Sequence, residues 1–526
     1  MRARFGKKLP SLNRGSLSFN VARGVAFSVV RKAVMGPISL LLVPFALHRV
    51  GSVGYGTWAI FATLINMSFL LDLGLGATVT KYVAEHRGKG DFRQLQRVLD
   101  TGLAAYLFIA MVALCFLWFC SHTIVRELFR GPSAPAVPQV LSLWPLLLPI
   151  VAADLLVKPF ISIINGLQRM DLTNTISFFT AVVSALMIVT FLSTGAKVGG
   201  LLLASLLTSL FSLLGSVAVA RRLLPSVRPN PLHCDLTTLR AMCKFSLGLY
   251  AGQGMYLIQT QLEKLYLARF VGVVPVGWYS MAGEAASKAR RIPDLLFGPV
   301  LAAASELDAT HERQKMGQLH FRLHKYLALT AVPLVIFAVL KARVLVSLWL
   351  GSGLTVIAVP FAVLVIGNLS SQMCGPAYWI LAGRGILRPS VYSALIASSL
   401  NIVLSFIFIA RWGFSGAVFG TAIPMVVGST YFLIASRRYL DMPFHEVLRQ
   451  AYLKPVLCSL CAAAATVPAG LLRLGAWQGL LASVTVYGGV YFTGLLVTQF
   501  FDSFDLAKAE GHLPFIRLAR RIILVS

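Results

Sequence analysis

The sequence predicts an all-α polytopic membrane protein: about 14 transmembrane helices, in two six-helix lobes of pseudo-twofold repeat followed by two C-terminal helices. Three observations predict it. Apolar residues make up 57% of the 526 positions and charged residues 13%, with a mean hydropathy of +0.77. A spanning helix needs roughly 20 mostly apolar residues, so fourteen spans leave short loops and no large soluble domain. Basic residues alternate with the apolar stretches. The third observation is an internal repeat. Val50, Gly51, Val53 and Gly56 return 221 positions later as Val271, Gly272, Val274 and Gly277, and Trp58 returns as Tyr279.

Residues 1–20 are polar and basic and read as a cytoplasmic tail. Spans follow at about 22–47, 55–80, 99–121, 141–164, 173–194 and 199–220, giving an N-lobe over 21–222. A basic inter-lobe loop, 223–245, separates it from a C-lobe over 246–440. Its spans fall at about 246–270, 276–301, 322–340, 356–381, 389–410 and 415–436. The eighth span is too charged for hydropathy alone, but it occupies the second span's place in the repeat. A second register, at an offset of 217, pairs Gly166 with Gly383 and Gly199 with Gly416. Parallel repeats of this kind place sites at the repeat interface. Residues 441–500 carry two unpaired spans, about 453–472 and 478–500. In 501–526, Phe515, Leu518, Ala519, Ile522 and Ile523 share one helical face opposite Arg517, Arg520 and Arg521, the pattern of a helix on the inner leaflet.

Charge fixes the orientation. With the N-terminus inside, 31 basic residues fall on inner segments and nine on outer ones, as the positive-inside rule requires. The net charge of +28 therefore reads as topology and not as nucleic-acid binding. Seven scattered cysteines give no disulfide framework, and Cys458 and Cys461, at CxxC spacing in an Ala-rich helix, read as buried thiols. Tryptophans near span ends (Trp58, Trp144, Trp278, Trp349, Trp412, Trp477) read as interface anchors. No signal peptide is legible at the N-terminus.

Twelve charges lie inside spans: Arg31, Lys32, Lys158, Lys264, Lys288, Arg290 and Arg291, with Asp72, Asp154, Glu263, Glu284 and Asp294. Facing lipid, they would cost roughly 30–40 kcal/mol together, so most must face the bundle interior or water. They form helical stripes: Asp154, Lys158, Ser162, Asn165, Arg169; then Gln253, Tyr256, Thr260, Glu263, Lys264; then Ser280, Glu284, Lys288, Arg291. Asp154–Lys158 and Glu284–Lys288 also have the i,i+4 spacing of simple neutralising pairs. The basic surplus suits an anion such as a diphosphate. The candidate substrate-binding residues are Arg31, Lys32, Lys158, Lys264, Lys288 and Arg291. The candidate ion-coupling or cavity acids are Asp72, Asp154, Glu263 and Glu284. Among these Glu263 is favoured, because it shares a polar stripe with Gln253 and Thr260 and has no basic residue four positions away.

Several stretches resemble the polysaccharide transporters of the MOP (multidrug/oligosaccharidyl-lipid/polysaccharide) flippase superfamily. In the first lobe these are Pro44-Phe-Ala-Leu-His-Arg-Val-Gly51, Gly54-Tyr-Gly-Thr-Trp58, Leu70-Leu-Asp-Leu-Gly-Leu-Gly76 and Tyr82-Val-Ala-Glu85. In the second they are Leu265-Tyr-Leu-Ala-Arg-Phe-Val-Gly272, Gly277-Trp-Tyr279, Ala382-Gly-Arg384, Asn401 and Trp412-Gly-Phe-Ser-Gly-Ala417. The resemblance covers most of 20–440. It implies two six-helix bundles in a V, alternating access, and a polyprenyl-diphosphate-linked oligosaccharide carried from inner to outer leaflet. It also implies a bacterial cytoplasmic (inner) membrane location, and as partners membrane lipids, a polysaccharide polymerase and chain-length machinery.

Two other readings compete. A multidrug exporter of the same superfamily would favour an acidic cavity for organic cations, whereas the intramembrane balance here is basic. A membrane glycosyltransferase, polymerase or ligase would need a large outer loop with catalytic groups. The longest outer loop, about 122–140, offers only His122, Arg126, Glu127 and Arg130 as ionisable residues. No phosphate-cradling motif is present, so no cofactor is expected and export must draw on a gradient or on product consumption.

Overall fold

The computed structural model describes residues 14–225, 229–297, 300–440, 444–468, 475–502 and Asp505. The first 13 residues of the expected basic tail and the expected amphipathic face at 515–523 lie outside the described residues. Among the described residues, all regular structure is helical, and nine stretches are long and apolar enough to cross a membrane. Two of the nine, Met35–Asp72 and Arg388–Tyr439, each hold parts of two drawn spans. The protein is an all-α polytopic membrane protein.

Helix α1 (Arg14–Met67) runs through the first drawn span into the second, and bends at Gly51, where φ is 72°. Open space surrounds that glycine, so the left-handed backbone alone asks for it. The second span is not the continuous helix expected. It narrows to a 3-10 turn at Ser68–Asp72, passes through Leu73 and Gly74 in left-handed conformation, and resumes as α2 (Leu75–Lys89). The turn frees the Leu73 carbonyl, which accepts a 2.6 Å hydrogen bond from Ser246 Oγ. Helix α3 (Phe92–Phe119) starts under Asp91, whose carboxylate accepts from the Gln94 amide. The expected outer loop at 122–140 is largely helical, with α4 (Ser121–Leu128), a 3-10 turn, and the start of α5 (Val137–Gly166). Trp144 is 2% exposed, and its Nε1–H donates to the Leu117 carbonyl at 2.9 Å. It closes an orphan carbonyl at the end of α3 and is no interface anchor. Helices α6 (Met170–Ser193) and α7 (Lys197–Leu223) follow.

The inter-lobe loop is tied down. Asp100, 4% exposed, accepts from the Asn230 amide and from Gln96 Nε2, both at 2.7 Å. Asp235 caps α8 (Leu236–Phe270), accepting from the amides of Thr237 and Thr238 and from both their hydroxyls. Those bonds favour the carboxylate and hold the Asp235 pKa at about 2, below its ordinary 3.8. A depressed acid stabilises the fold above its unfolded pKa and loses that contribution as pH falls toward the folded one. Asp235→Ala should therefore lower the melting temperature at pH 7, and its deficit should shrink between about pH 4 and pH 2. An equal deficit at pH 7 and pH 2 would contradict the cap.

Beyond α8 come α9 (Val273–Asp294), a 3-10 turn at Leu295–Phe297, and α10 (Val300–Ala309). This repeats the break of the second span at the matching place. Then follow α11 (Arg313–Leu340), α12 (Ala342–Leu350), α13 (Ala358–Met373), α14 (Gly375–Gly383) and α15 (Arg388–Ser436). Helix α15 turns at Gly413, where φ is 56°.

Packing carries the repeat into three dimensions. A Cβ on Gly166 would fall 2.7 Å from Val83 Cβ and 2.8 Å from Thr80 O; on Gly383 it would fall 2.8 Å from Ala304 Cβ and 2.9 Å from Leu301 O. Val83 and Ala304, like Thr80 and Leu301, are 221 positions apart. Arg87 donates to the Leu167 carbonyl at 2.8 Å, and at the matching positions Arg384 pairs with Asp308 at 3.0 Å. Gly199 and Gly416 do not match. Gly416 lies against the Phe408 carbonyl, whereas Gly199 meets only Leu143. The preceding turns use Gly195 and Gly413, 218 apart, which shifts the register by one.

The last helices are α16 (Phe444–Val447), a π-helical turn at Leu448–Tyr452, α17 (Leu453–Ala465) and α18 (Ala476–Val497). They dock on α11. Pro333 has no amide to give the Leu329 carbonyl, and Tyr491 Oη donates to that carbonyl at 3.0 Å. Tyr487 Oη donates to the Pro333 carbonyl at 3.1 Å.

Contacts group the chain into two compact units, Met1–Met281 with Ile402–Ala417, and Ala282–Asn401 with Val418–Ser526. The first centres on Val79, Val83, Leu95, Leu99, Tyr106 and Ile164 of α2, α3 and α5. The second holds several smaller clusters, such as Phe297, Leu327 and Ala331.

Candidate functional site

The first unit holds a polar group at the break of the second span. The Tyr106 hydroxyl of α3 donates to Asp72 Oδ1. Gly76 leaves room for this gathering: a Cβ there would lie 3.2 Å from Ser162 Oγ, 3.3 Å from Tyr106 Oη and 3.5 Å from Asp72 Oδ1. Lys158 of α5 has its ammonium 4.2 Å from the Phe69 ring centroid. That nitrogen is buried, with no hydrogen-bond partner among the described residues, and it sits in the field of both Asp72 and Asp154. Asp154 lies near Ser209 and makes no ion pair within 4.0 Å among the described residues, so the i,i+4 spacing to Lys158 does not close into a contact. Lower on the stripe, Asn165 accepts from Thr173 Oγ1 at 2.8 Å and Arg169 pairs with Asp171 at 3.0 Å. Those two residues build the α5–α6 turn.

On α8, Glu263 is 0% exposed, and Lys264 Nζ donates to Gln261 Oε1 at 3.2 Å. The side chains of Arg31, Lys32, Gln253 and Tyr256 lie outside the described residues.

In the second unit Glu284 and Lys288 do close their i,i+4 pair, at 2.6 Å. Arg290 and Asp294 pair at 3.2 Å, and Gln372 Nε2 donates to the Arg290 carbonyl at 2.8 Å. Arg291 is exposed. The structure thus brings together Asp72, Lys158 and Asp154 within one unit, and Glu284 with Lys288 in the other.

A family model described as "Polysaccharide biosynthesis protein" matches residues 21–305, more than half of the chain. The chain belongs to the polysaccharide biosynthesis protein family. None of the curated proteins matches it in sequence. Among solved structures, this family member is similar to the lipid II flippase MurJ in its inward closed conformation, with a TM-score of 0.73 at 14% identity over 90% of this chain and 98% of that one. An inward-facing multidrug resistance MATE family transporter of the MOP superfamily matches with a TM-score of 0.66 at 13% identity, over 79% of this chain and 98% of that one. A MOP superfamily transporter from Pyrococcus furiosus matches at 0.54 and 14% identity, over 80% and 95%. The family member therefore has the MOP transporter fold.

Sequence reasoning missed Tyr106, Phe69 and Ser209, the groups that meet Asp72, Lys158 and Asp154. They lie on other turns and helices, and no spacing announces them. It also placed Lys325 in a basic inner segment. The structure buries that side chain to 6% exposure against Asp505 and, at 3.3 Å, Asp502, with Tyr326 Oη donating to Asp505 at 2.7 Å. Tyr326 beside Lys325 was the available signal.

Proposed function

We propose that this protein is a flippase that carries a polyprenyl-diphosphate-linked oligosaccharide from the inner to the outer leaflet of a bacterial cytoplasmic membrane by alternating access. The family supports the polysaccharide pathway, and the fold supports a transporter, not a glycosyltransferase. One observation carries the anionic cargo. Of the intramembrane acids, Glu284 and Asp294 pair with Lys288 and Arg290 and Asp72 accepts from the Tyr106 hydroxyl, while Arg291 stays exposed. Acids already engaged by their neighbours and an exposed guanidinium favour a diphosphate over the organic cations of a multidrug exporter. On this reading the N-lobe (21–222) and C-lobe (246–440) alternate around Arg31, Lys32, Lys158, Lys264, Lys288 and Arg291. Both termini are cytoplasmic, Glu263 responds to the driving gradient, and a polymerase with chain-length machinery takes the product.

The test is translocation of a fluorescent polyprenyl-diphosphate oligosaccharide in proteoliposomes. Lys288→Ala and Arg291→Ala, reconstituted at equal amounts, should each lower the rate by about tenfold, the worth of one charge-assisted contact. Unchanged rates in both, or dye-cation export by the unmodified protein, would overturn the assignment.

A further inference from the structure

Two histidines of α11 face each other in the interior of the second unit. His320 is 5% exposed and His324 0%. They are four residues apart on one helical face, and their Nε2 atoms are 3.2 Å apart. The chain of contacts continues from His324 Nδ1 to the Tyr452 hydroxyl at 3.0 Å. Tyr452 ends the π-helical turn that leads into α17. The other end of the chain, His320 Nδ1, is buried with no partner among the described residues.

Two facing Nε2 atoms at that distance share one hydrogen, so one ring donates and the other accepts. With both rings neutral, Tyr452 acts as donor or acceptor to His324 according to the tautomer. A first extra proton would put an imidazolium in a site closed to water, which burial disfavours. A second would set N–H against N–H. Cys374, at the end of α13, lies near the Tyr452 hydroxyl. Lys325, next on α11, is held by Asp502 and Asp505. Half-buried Glu446, exposed His445 and exposed Arg449 flank Tyr452 along the chain.

The geometry points to a proton-binding site made by His320, His324 and Tyr452, which holds the turn entering α17 against α11 while both rings are neutral and releases it on proton uptake. Ordinary imidazoles titrate near pH 6.5, so the hold is complete above that pH and weakens below it.

Hydrogen exchange of the full-length protein in nanodiscs, corrected for the intrinsic pH dependence, reads this directly in peptides covering Leu448–Ala465. Each ring that titrates only on opening adds about tenfold to the opening equilibrium between pH 7.5 and 5.5. The unmodified protein should therefore show a rise of about 100-fold, and His320→Gln or His324→Gln about tenfold. The double variant should show none, and His445→Gln should keep the full rise. A flat profile in the unmodified protein overturns the site. So does an undiminished rise in either single variant, a readout available even where the double variant fails to fold.

Discussion

Gly56→Ala should be among the most damaging single-methyl changes in this protein. The built Cβ falls 2.1 Å from the Val273 carbonyl oxygen and 2.7 Å from its carbon. Both are backbone atoms and cannot swing away. Overpacking of this kind costs about 3 kcal/mol or more. The repeat counterpart is also close, since a Cβ on Gly277 would lie 3.2 Å from Gly56 Cα. Helices α1 and α9 approach this closely because both copies are glycine, the small-residue device of membrane helix pairs. An order follows. Gly56→Ala should lower the apparent melting temperature in detergent most, Gly277→Ala less, and Gly283→Ala, with nothing within 4 Å, least. Gly51→Ala has open space but a φ of 72°, so it should cost only the left-handed penalty of about 1–2 kcal/mol. A Gly56→Ala protein that melts with the unmodified one would refute the contact.

Asp505→Ala should come next, at about 3 kcal/mol. The Lys325 and Asp505 side chains are each 6% exposed, and removing one partner of a buried pair strands the other charge. Lys325 would keep Asp502 at 3.3 Å, but that carboxylate is 48% exposed and its pairing is screened. Asp502→Ala should accordingly cost about 1 kcal/mol or less. Adding Lys325→Met to Asp505→Ala should recover most of the loss, because no unpaired ammonium remains. A double variant no more stable than Asp505→Ala alone would show that the penalty lies elsewhere. The pair matters for the fold because it closes the C-terminal segment onto α11, beside the tyrosines that dock α18.

The sequence alone determined the class and much of the repeat. Hydropathy, the basic asymmetry and the returning glycines all follow from the solvent. A bilayer admits closed helices of fixed length, so composition and period leave little else to decide. Even Gly166 and Gly383, paired on register alone, land in matching contacts. What the sequence could not decide was where those helices break and which partners the buried charges take. The second span reads as continuous, yet it breaks at Leu73–Gly74, because Ser246, far along the chain, supplies the donor that the freed carbonyl needs. Asp154–Lys158 and Glu284–Lys288 have the same spacing. Only the second closes as a pair, at 2.6 Å, whereas Lys158 lies over the Phe69 ring. Lys325 reads as one of a basic inner segment until Asp502 and Asp505 fold against it. A charge inside a membrane must be satisfied, but local spacing states only what can reach it along its own helix. The partners that reach it from other helices are set by packing.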